Sequence, residues 1–374
     1  MLTFNIDDYE LVDVAVGEPD GIAISEESYS TFEQVLEGIR HLPPKAVKVP
    51  VRKLSVNGRV VNDRMEKYLA TPAESSSMLK AALDSPRTYY IRRQHLLDEV
   101  EGDHFTFGTF AHAAILEPSL FSKVDVLPNA GRNSGDGCSE LIEFFEAKMG
   151  RLPSIDMREW PMAKKKRRIE ELEAEAAANG YSFIKPSQMK AIQVLRGEQR
   201  DYGGGIIERI MPYVQTETSM YYTDPATGLE VKIRPDGLLL EENFGFNGIL
   251  SVKTTSAKSL RGFFADAAKY RYELAEGMYL DVAEQVTGRP FTATLMLMAQ
   301  SVEPYQVALL FWSAEDLEVG KMKYRKALDT VERCRVNNQW RGFDADEPIE
   351  NLGLIRAKLP SYIRNEILND KDND

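Results

Sequence analysis

The sequence predicts an α/β fold with a mixed central sheet flanked by helices. Apolar runs of strand length recur from Thr216 onward, at Thr216–Tyr222, Leu229–Leu240, Ile249–Thr254, Phe291–Ala299 and Tyr305–Phe311. A long helical pattern, Ser259 to about Val286, separates the third run from the fourth, with Leu260, Phe263, Phe264, Ala267 and Ala268 in helical period. Helical stretches also precede and follow the strands, at Phe107–Leu116 and Trp312–Val336. The order is helix, insertion, three strands, long helix, two strands, helix, which is the layout of a sheet with helices on its faces.

Residues 1–70 mix short apolar runs with turn signals such as Gly17-Glu18-Pro19-Asp20 and Leu42-Pro43-Pro44. They read as an appended N-terminal region with no assigned structure. The main domain is expected over 71–345, with a helical insertion at about 125–210 and a polar tail at 346–374. A helix starts near Ser75-Ser76-Ser77, where serine suits the cap, and stops near Ser85-Pro86. The Phe107 helix stops before Pro118. Asn129–Gly137, rich in Gly, Asn and Ser, reads as a loop. The basic run Lys164-Lys165-Lys166-Arg167-Arg168 leads into Glu170-Glu171. It reads as a solvated helix with i,i+4 charge pairs, and contact with DNA phosphates is the other reading. Asp224-Pro225-Ala226-Thr227-Gly228 reads as a tight turn joining the first two strands. Gly288-Arg289-Pro290 ends the long helix.

The chain has 374 residues, 43% of them hydrophobic and 28% charged, ordinary values for a globular protein. No apolar run approaches the roughly 18–20 residues of a membrane span, so no membrane partner is expected. The first residues lack a basic and then apolar leader pattern, and Cys138 and Cys334 have no metal or redox spacing. A reduced cytoplasmic protein is the simplest expectation. The net charge of −12 counts against a general nucleic-acid binder but not against a local basic channel. There is no P-loop, GxGxxG, CxxC pair or HExxH, which argues against nucleotide hydrolysis, Rossmann oxidoreduction and zinc protease chemistry.

The chemistry concentrates at two strand ends. Arg234-Pro235-Asp236-Gly237 ends one run, and Ile249-Leu250-Ser251-Val252-Lys253-Thr254-Thr255 forms the next. A hairpin-like connection sets Asp236 beside Lys253. Metal-dependent phosphodiester cleavage needs such a pair, with carboxylate oxygen for Mg²⁺ and a fixed cation near the phosphate or the water. Asp236 alone reads also as a turn aspartate bonding its own backbone. Lys253 sits in an apolar strand, where a lysine needs a partner unless the strand is an edge. His112, among alanines and Ile115, reads as a metal ligand or as a core histidine bonded to a carbonyl. Ser75, Ser76, Ser77 and Lys80 open a helix whose N-terminus suits phosphate, with Arg92 and Arg93 nearby, and plain N-capping is the alternative.

In this order the residues resemble the RecE-like (exodeoxyribonuclease VIII type) branch of the PD-(D/E)XK nucleases, common in phages and prophages. The matching pieces are Ser76-Ser77-Met78-Leu79-Lys80 with Ser85-Pro86, and Phe107-Gly108-Thr109-Phe110-Ala111-His112 with Leu116-Glu117-Pro118. They continue with Asp224, Thr227-Gly228, Lys232-Ile233-Arg234-Pro235-Asp236-Gly237, Val252-Lys253-Thr254-Thr255, and Tyr272 with Tyr279. The resemblance implies a PD-(D/E)XK nuclease core that uses Mg²⁺ or Mn²⁺ to resect double-stranded DNA ends. The implied setting is phage- or prophage-encoded recombination in the bacterial cytoplasm, with a single-strand annealing protein as partner and a homo-oligomer as assembly. His112 would help bind metal, Asp236 would be a direct ligand, Lys253 would position water or stabilise charge, and Tyr279 would lie near the DNA backbone.

Two positions depart from the pattern. Ser251 stands where the family has Asp or Glu, and Ala275 where it often has Gln. A serine hydroxyl is a weaker, neutral ligand, so Ser251 at the catalytic position needs help from a carboxylate elsewhere. Glu276 on the long helix, Glu217 on the first strand, and Glu241 or Glu242 in the turn are the candidates. Without such help the chain would be a catalytically degenerate scaffold that binds DNA or acts as an inhibitory or regulatory protein.

Overall fold

The computed structural model describes residues 28–95, 103–152, 154, 157–216, 218–345 and 348–357. The first elements are α1 (Phe32–Arg40), α2 (Val51–Leu54), β1 (Arg59–Val61) and α3 (Met65–Ala70). Thr31 and Gln34 form a reciprocal capping box at the start of α1, each side chain bonding the other's backbone N–H. Val35 and Ile39 of α1 are buried against Leu239, Phe244 and Leu250, so this segment adds to the core.

Next come α4 (Ser76–Asp84), α5 (Pro86–Arg93), α6 (Asp103–Leu116) and α7 (Pro118–Phe121). Pro86 ends α4 and opens α5, with the Ser85 hydroxyl accepting from the Thr88 N–H at 3.0 Å. The insertion holds β2 (Asp125–Val126), α8 (Gly135–Lys148), α9 (Met162–Ala178), β3 (Phe183–Ile184), α10 (Pro186–Asp201) and α11 (Ile206–Ile210). The loop predicted over Asn129–Gly137 ends earlier, because Ser134 caps α8 by accepting from the Gly137 N–H at 3.1 Å. The basic run lies on α9, with Lys164, Lys166 and Arg167 exposed and Lys165 and Arg168 taken up in packing. Lys165 is buried and donates to the Gly135 carbonyl at 2.9 Å and the Ser139 hydroxyl at 3.0 Å. Arg168 meets Glu146 at 2.9 Å, and Arg167 meets Glu171 one turn on at 3.0 Å.

The remaining elements are β4 (Ser219–Thr223), β5 (Glu230–Ile233), β6 (Gly237–Leu239), α12 (Glu241–Phe244), β7 (Gly248–Thr255), α13 (Leu260–Lys269), α14 (Tyr272–Thr287), β8 (Ala293–Gln300), β9 (Val307–Phe311) and α15 (Ala314–Asn337). One sheet has the order β1-β4-β5 and is antiparallel. The other has the order β6-β7-β8-β9 and is mixed, with β7 and β8 parallel and β6 and β9 antiparallel at its edges. The predicted α/β architecture with a mixed sheet and flanking helices is what the chain adopts. One face of the mixed sheet, through Leu238 and Ile249, packs on α14 and α15; the other, through Val252 and Leu297, packs on α6 and α10.

Two expected elements divide. The run Leu229–Leu240 becomes β5 and β6, which belong to different sheets. Pro235 has no N–H to give a ladder, and the Arg234 guanidinium bonds the Asp63 carbonyl at 2.6 Å and the Ser219 hydroxyl at 2.9 Å. Asp236 and Lys253 are therefore brought together by β6 and β7 alone, not by three paired strands. The long helix Ser259–Val286 becomes α13 and α14, with Arg271 between them in the left-handed region at φ 49°. No Gly or Pro marks that joint, so helical period runs across it in the sequence. Arg271 is held by its own guanidinium, which bonds the Lys80 carbonyl at 3.2 Å and Asp84 at 2.5 Å.

Candidate active site

The site forms where β6 is too short for its neighbour. Gly237 pairs with Leu250, and β6 has no residue to pair with Val252. The Val252 N–H donates instead to the Asp236 carboxylate at 2.5 Å. Side chains alternate along β7. Val252 faces α6, while Ser251 and Lys253 share the opposite face, toward α14. Lys253 is thus inside an apolar strand but aimed at an acidic helix.

His112, on α6, sits with Nε2 2.8 Å from the second Asp236 oxygen. The Asp236 carboxylate is held below its usual range: burial pushes it up, but the His112 hydrogen bond, the Lys253 charge and the Val252 N–H outweigh it. An ionised carboxylate only accepts, so His112 donates through Nε2. In this geometry His112 holds the Asp236 carboxylate in place.

Glu276, on α14, carries the second carboxylate. The Ser251 hydroxyl lies 2.9 Å and 2.7 Å from its two oxygens and donates to it. Both residues are 0% exposed. Burial pushes the Glu276 carboxyl up, the nearby Asp236 charge adds to that, and Lys253 opposes it. Lys253 is driven the other way: burial would lower it, but Asp236 and Glu276 hold the ammonium above the usual lysine range. Two carboxyl groups and one lysine thus lie close enough to shift one another.

Tyr272, Glu276 and Tyr279 follow at helical spacing on α14. The Tyr279 phenol lies beside Glu276 and Asp236 and bonds Ser76 of α4; burial and the two acids push it up. Tyr272 lies between two lysines, with the Lys253 ammonium 5.8 Å and the Lys80 ammonium 5.4 Å from its ring centre. Burial and the Lys253 charge push Lys80 down to about 8. The sequence sets Lys80 at a helix start suited to phosphate and marks no role for Tyr272, whose signal is its position one turn before Glu276.

The other predicted residues separate. Ser77 is exposed on the first turn of α4, its hydroxyl 3.0 Å from that of Ser75. Arg92 is exposed on α5, while Arg93 is tied to the Pro72 carbonyl at 2.9 Å and to Glu74 at 3.7 Å. Glu241 and Glu242 fall at the far end of β6 and pair with Arg289 at 3.7 Å and 2.9 Å, so they do not reach the site. Glu217 lies outside the described residues. Ala275 is buried.

Among the described residues, no group of three or more His, Cys, Asp and Glu side chains clusters closely enough to cage a metal ion. The donors present are two hard carboxylates. Mg²⁺ is commonly held by one or two carboxylates, with waters and substrate phosphate completing the shell. Asp236, half-buried, and Glu276, fully buried, both acidic and mutually repelling, fit that manner of binding. Among the described residues no helix is long and apolar enough to cross a membrane.

A family model described as a PDDEXK-like domain of unknown function (DUF3799) matches residues 75–343, a span that includes every element of the site. No curated protein matches the chain. Among solved structures, a "Putative exonuclease" from Eubacterium rectale aligns with a TM-score of 0.44 at 11% identity, covering 80% of this chain and 96% of that one. A structure described as SSO0001 aligns with a TM-score of 0.22 at 13% identity, covering 67% and 96%. Neither likeness is close enough to carry fold or function.

Proposed function

The chain belongs to the family of PDDEXK-like domains, residues 75–343 carrying the match, and from that membership and the site we propose that it is a Mg²⁺- or Mn²⁺-dependent DNA exonuclease. The observation that carries the proposal is Glu276. Its carboxyl group, bonded by Ser251 at 2.9 Å and 2.7 Å, lies beside Asp236 and Lys253 and brings in the acidic oxygens that the strand position lacks. This favours a working site over a degenerate one.

Asp236 and Glu276 would hold the metal, which when bound supplies Lewis-acid polarisation of a phosphoryl oxygen and a more acidic water. The Lys253 ammonium, kept charged by the two acids, sits where it can orient the attacking water and stabilise negative charge on the pentacovalent phosphorus. Water oxygen attacks phosphorus in line, and the bond to the leaving sugar oxygen breaks. His112 keeps the Asp236 carboxylate in register with β7. Ser77, Lys80 and Arg92 are the contacts proposed for the DNA backbone. In the finer reading the substrate is a double-stranded DNA end, resected in RecE fashion for a single-strand annealing partner in a phage- or prophage-bearing bacterial cytoplasm, by a homo-oligomer.

The test is digestion of end-labelled linear duplex beside covalently closed circular duplex, with Mg²⁺ or Mn²⁺. Nucleotide release from the linear substrate alone, abolished in Lys253→Ala, is the expected result. Cutting of the closed circle, or no strand loss at high enzyme, overturns the exonuclease reading.

A further inference from the structure

A cavity of about 490 Å³ lies between α5, the start of β5 and the end of α15, and none of its lining residues belongs to the acidic site. Its volume is within the roughly 300–1,000 Å³ of small-molecule sites. Glu74 lines it and is 3% exposed. One Glu74 oxygen accepts from the Tyr89 hydroxyl at 2.8 Å and lies 3.7 Å from the Arg93 guanidinium. The other has no hydrogen-bond partner among the described residues, a costly state for a buried carboxyl oxygen. Burial pushes the carboxyl above its usual range, although Tyr89 and Arg93 pull it back. In its neutral form the group donates as well as accepts.

Aromatic surface and positive charge border the same space. The Trp340 ring centre lies 5.3 Å from that of Tyr89 with planes at 17°, and 5.4 Å from that of Tyr90 with planes at 32°. Trp340 and Tyr90 are half-buried, so each keeps ring surface open. Arg335 is exposed, and its guanidinium is steadied by the Thr227 carbonyl at 3.2 Å. Arg93 and Arg335 count against a cationic ligand, Glu74 and Glu230 against a bare anion, and the four charged side chains together against a hydrocarbon. A planar ring with hydrogen-bonding edges and an anionic tail satisfies all of them. Its faces suit Trp340 and Tyr90, a donor or acceptor on its edge meets the unpaired Glu74 oxygen, and the anion meets Arg335.

We propose that this cavity binds a nucleoside monophosphate, with the base against Trp340 and Tyr90, its edge toward the Glu74 carboxyl, and the phosphate at Arg335. The source of that ligand rests on the nuclease reading, since exonucleolytic cleavage releases mononucleotides, but its binding does not. The experiment is isothermal titration calorimetry of the intact protein in EDTA. The probes are deoxyadenosine and deoxyguanosine 5′-monophosphates, their ribonucleotide counterparts, the two deoxynucleosides and inorganic phosphate. Saturable binding of one monophosphate per chain is expected. Arg335→Ala, a change at an exposed side chain, should weaken it roughly tenfold or more, the effect of one hydrogen bond to a charged group. Affinity for the deoxynucleosides stays within about twofold in that variant. Glu74→Gln, which keeps the shape, should alter the ratio of adenine to guanine affinity. No saturable heat at millimolar ligand, or equal affinity in wild type and Arg335→Ala, overturns the site, and an unchanged ratio in Glu74→Gln overturns the part given to Glu74. Inorganic phosphate binding as tightly as the monophosphates overturns the nucleotide assignment. Ribonucleotides binding more tightly than deoxynucleotides overturn digestion as the source while supporting the site. Failure of the nuclease reading is distinct: metal-dependent digestion would be missing while binding in EDTA persisted.

Discussion

At the scale of single residues, Ser251 does two things that a motif comparison separates. It leaves the strand without its carboxylate, and it fixes the carboxylate that α14 brings in. Removing the hydroxyl strands a buried acceptor. Ser251→Ala is expected to cost about 1–3 kcal/mol, the range for leaving a buried polar group unsatisfied, measured by urea unfolding beside wild type. An unchanged midpoint would mean that Glu276 has another donor. Asp236, Lys253 and His112 could be picked out because each is an odd residue in its setting: an acid between Pro and Gly, a lysine in an apolar strand, a histidine among alanines. Glu276 stood only as one acid among several, since helical spacing says which face it takes but not which strand that face meets. The fold separates the candidates, sending Glu241 and Glu242 to Arg289 and Glu276 to Ser251.

At the scale of elements, the depth at which α14 sits decides where Glu276 points. Gly277 of α14 and Gly320 of α15 face each other so closely that a Cβ on Gly320 would collide with the Glu273 carbonyl and one on Gly277 with the Lys321 amide. Backbone lies against backbone there, so neither side can yield by a rotamer change. Gly320→Ala is expected to cost about 3 kcal/mol or more and to lower any metal-dependent cleavage with it, read by thermal unfolding and by digestion of linear duplex. A second lock lies at the β4–β5 turn, where buried Asp224 accepts from the Thr227 N–H and hydroxyl at 2.9 Å and 2.7 Å and pairs with Arg325 of α15. Burial pushes Asp224 up, but Arg325 and Thr227 hold it below the usual carboxylate range. The folded state therefore binds this proton less readily than the unfolded chain. Its stabilisation is present above about pH 4 and is lost as pH falls through the lower folded value. Asp224→Asn should flatten the acid side of the stability–pH curve, and an unaltered curve would show that Asp224 does not carry it. Strands and helices were legible where one period ran without interruption, as in β7, β8 and α15. The break at Arg271 is not, because it is set by tertiary bonds from Arg271 to Asp84 and the Lys80 carbonyl, whereas the break between β5 and β6 has its signal in Pro235.

At the scale of the whole molecule, a net charge of −12 coexists with a site proposed to act on a polyanion. The sign reverses locally, with the Lys80 and Lys253 ammonium groups both near the Tyr272 ring. In the basic run on α9, the most conspicuous positive stretch in the sequence, Lys165 and Arg168 belong to the packing of the insertion. Charge density along the chain is thus a poor guide to where phosphate would bind. The fold gathers isolated cations around the acids and spends the contiguous ones elsewhere. The central claim is that Glu276 replaces the carboxylate missing at Ser251. Thermal unfolding with and without Mg²⁺, run on wild type and Glu276→Gln, tests it most directly. A ligand that binds only the folded state raises the midpoint by mass action, by about 2.7 kcal/mol at a hundredfold excess over Kd. Wild type should shift upward with Mg²⁺ and Glu276→Gln should not. An equal Mg²⁺-dependent shift in both proteins would contradict the claim.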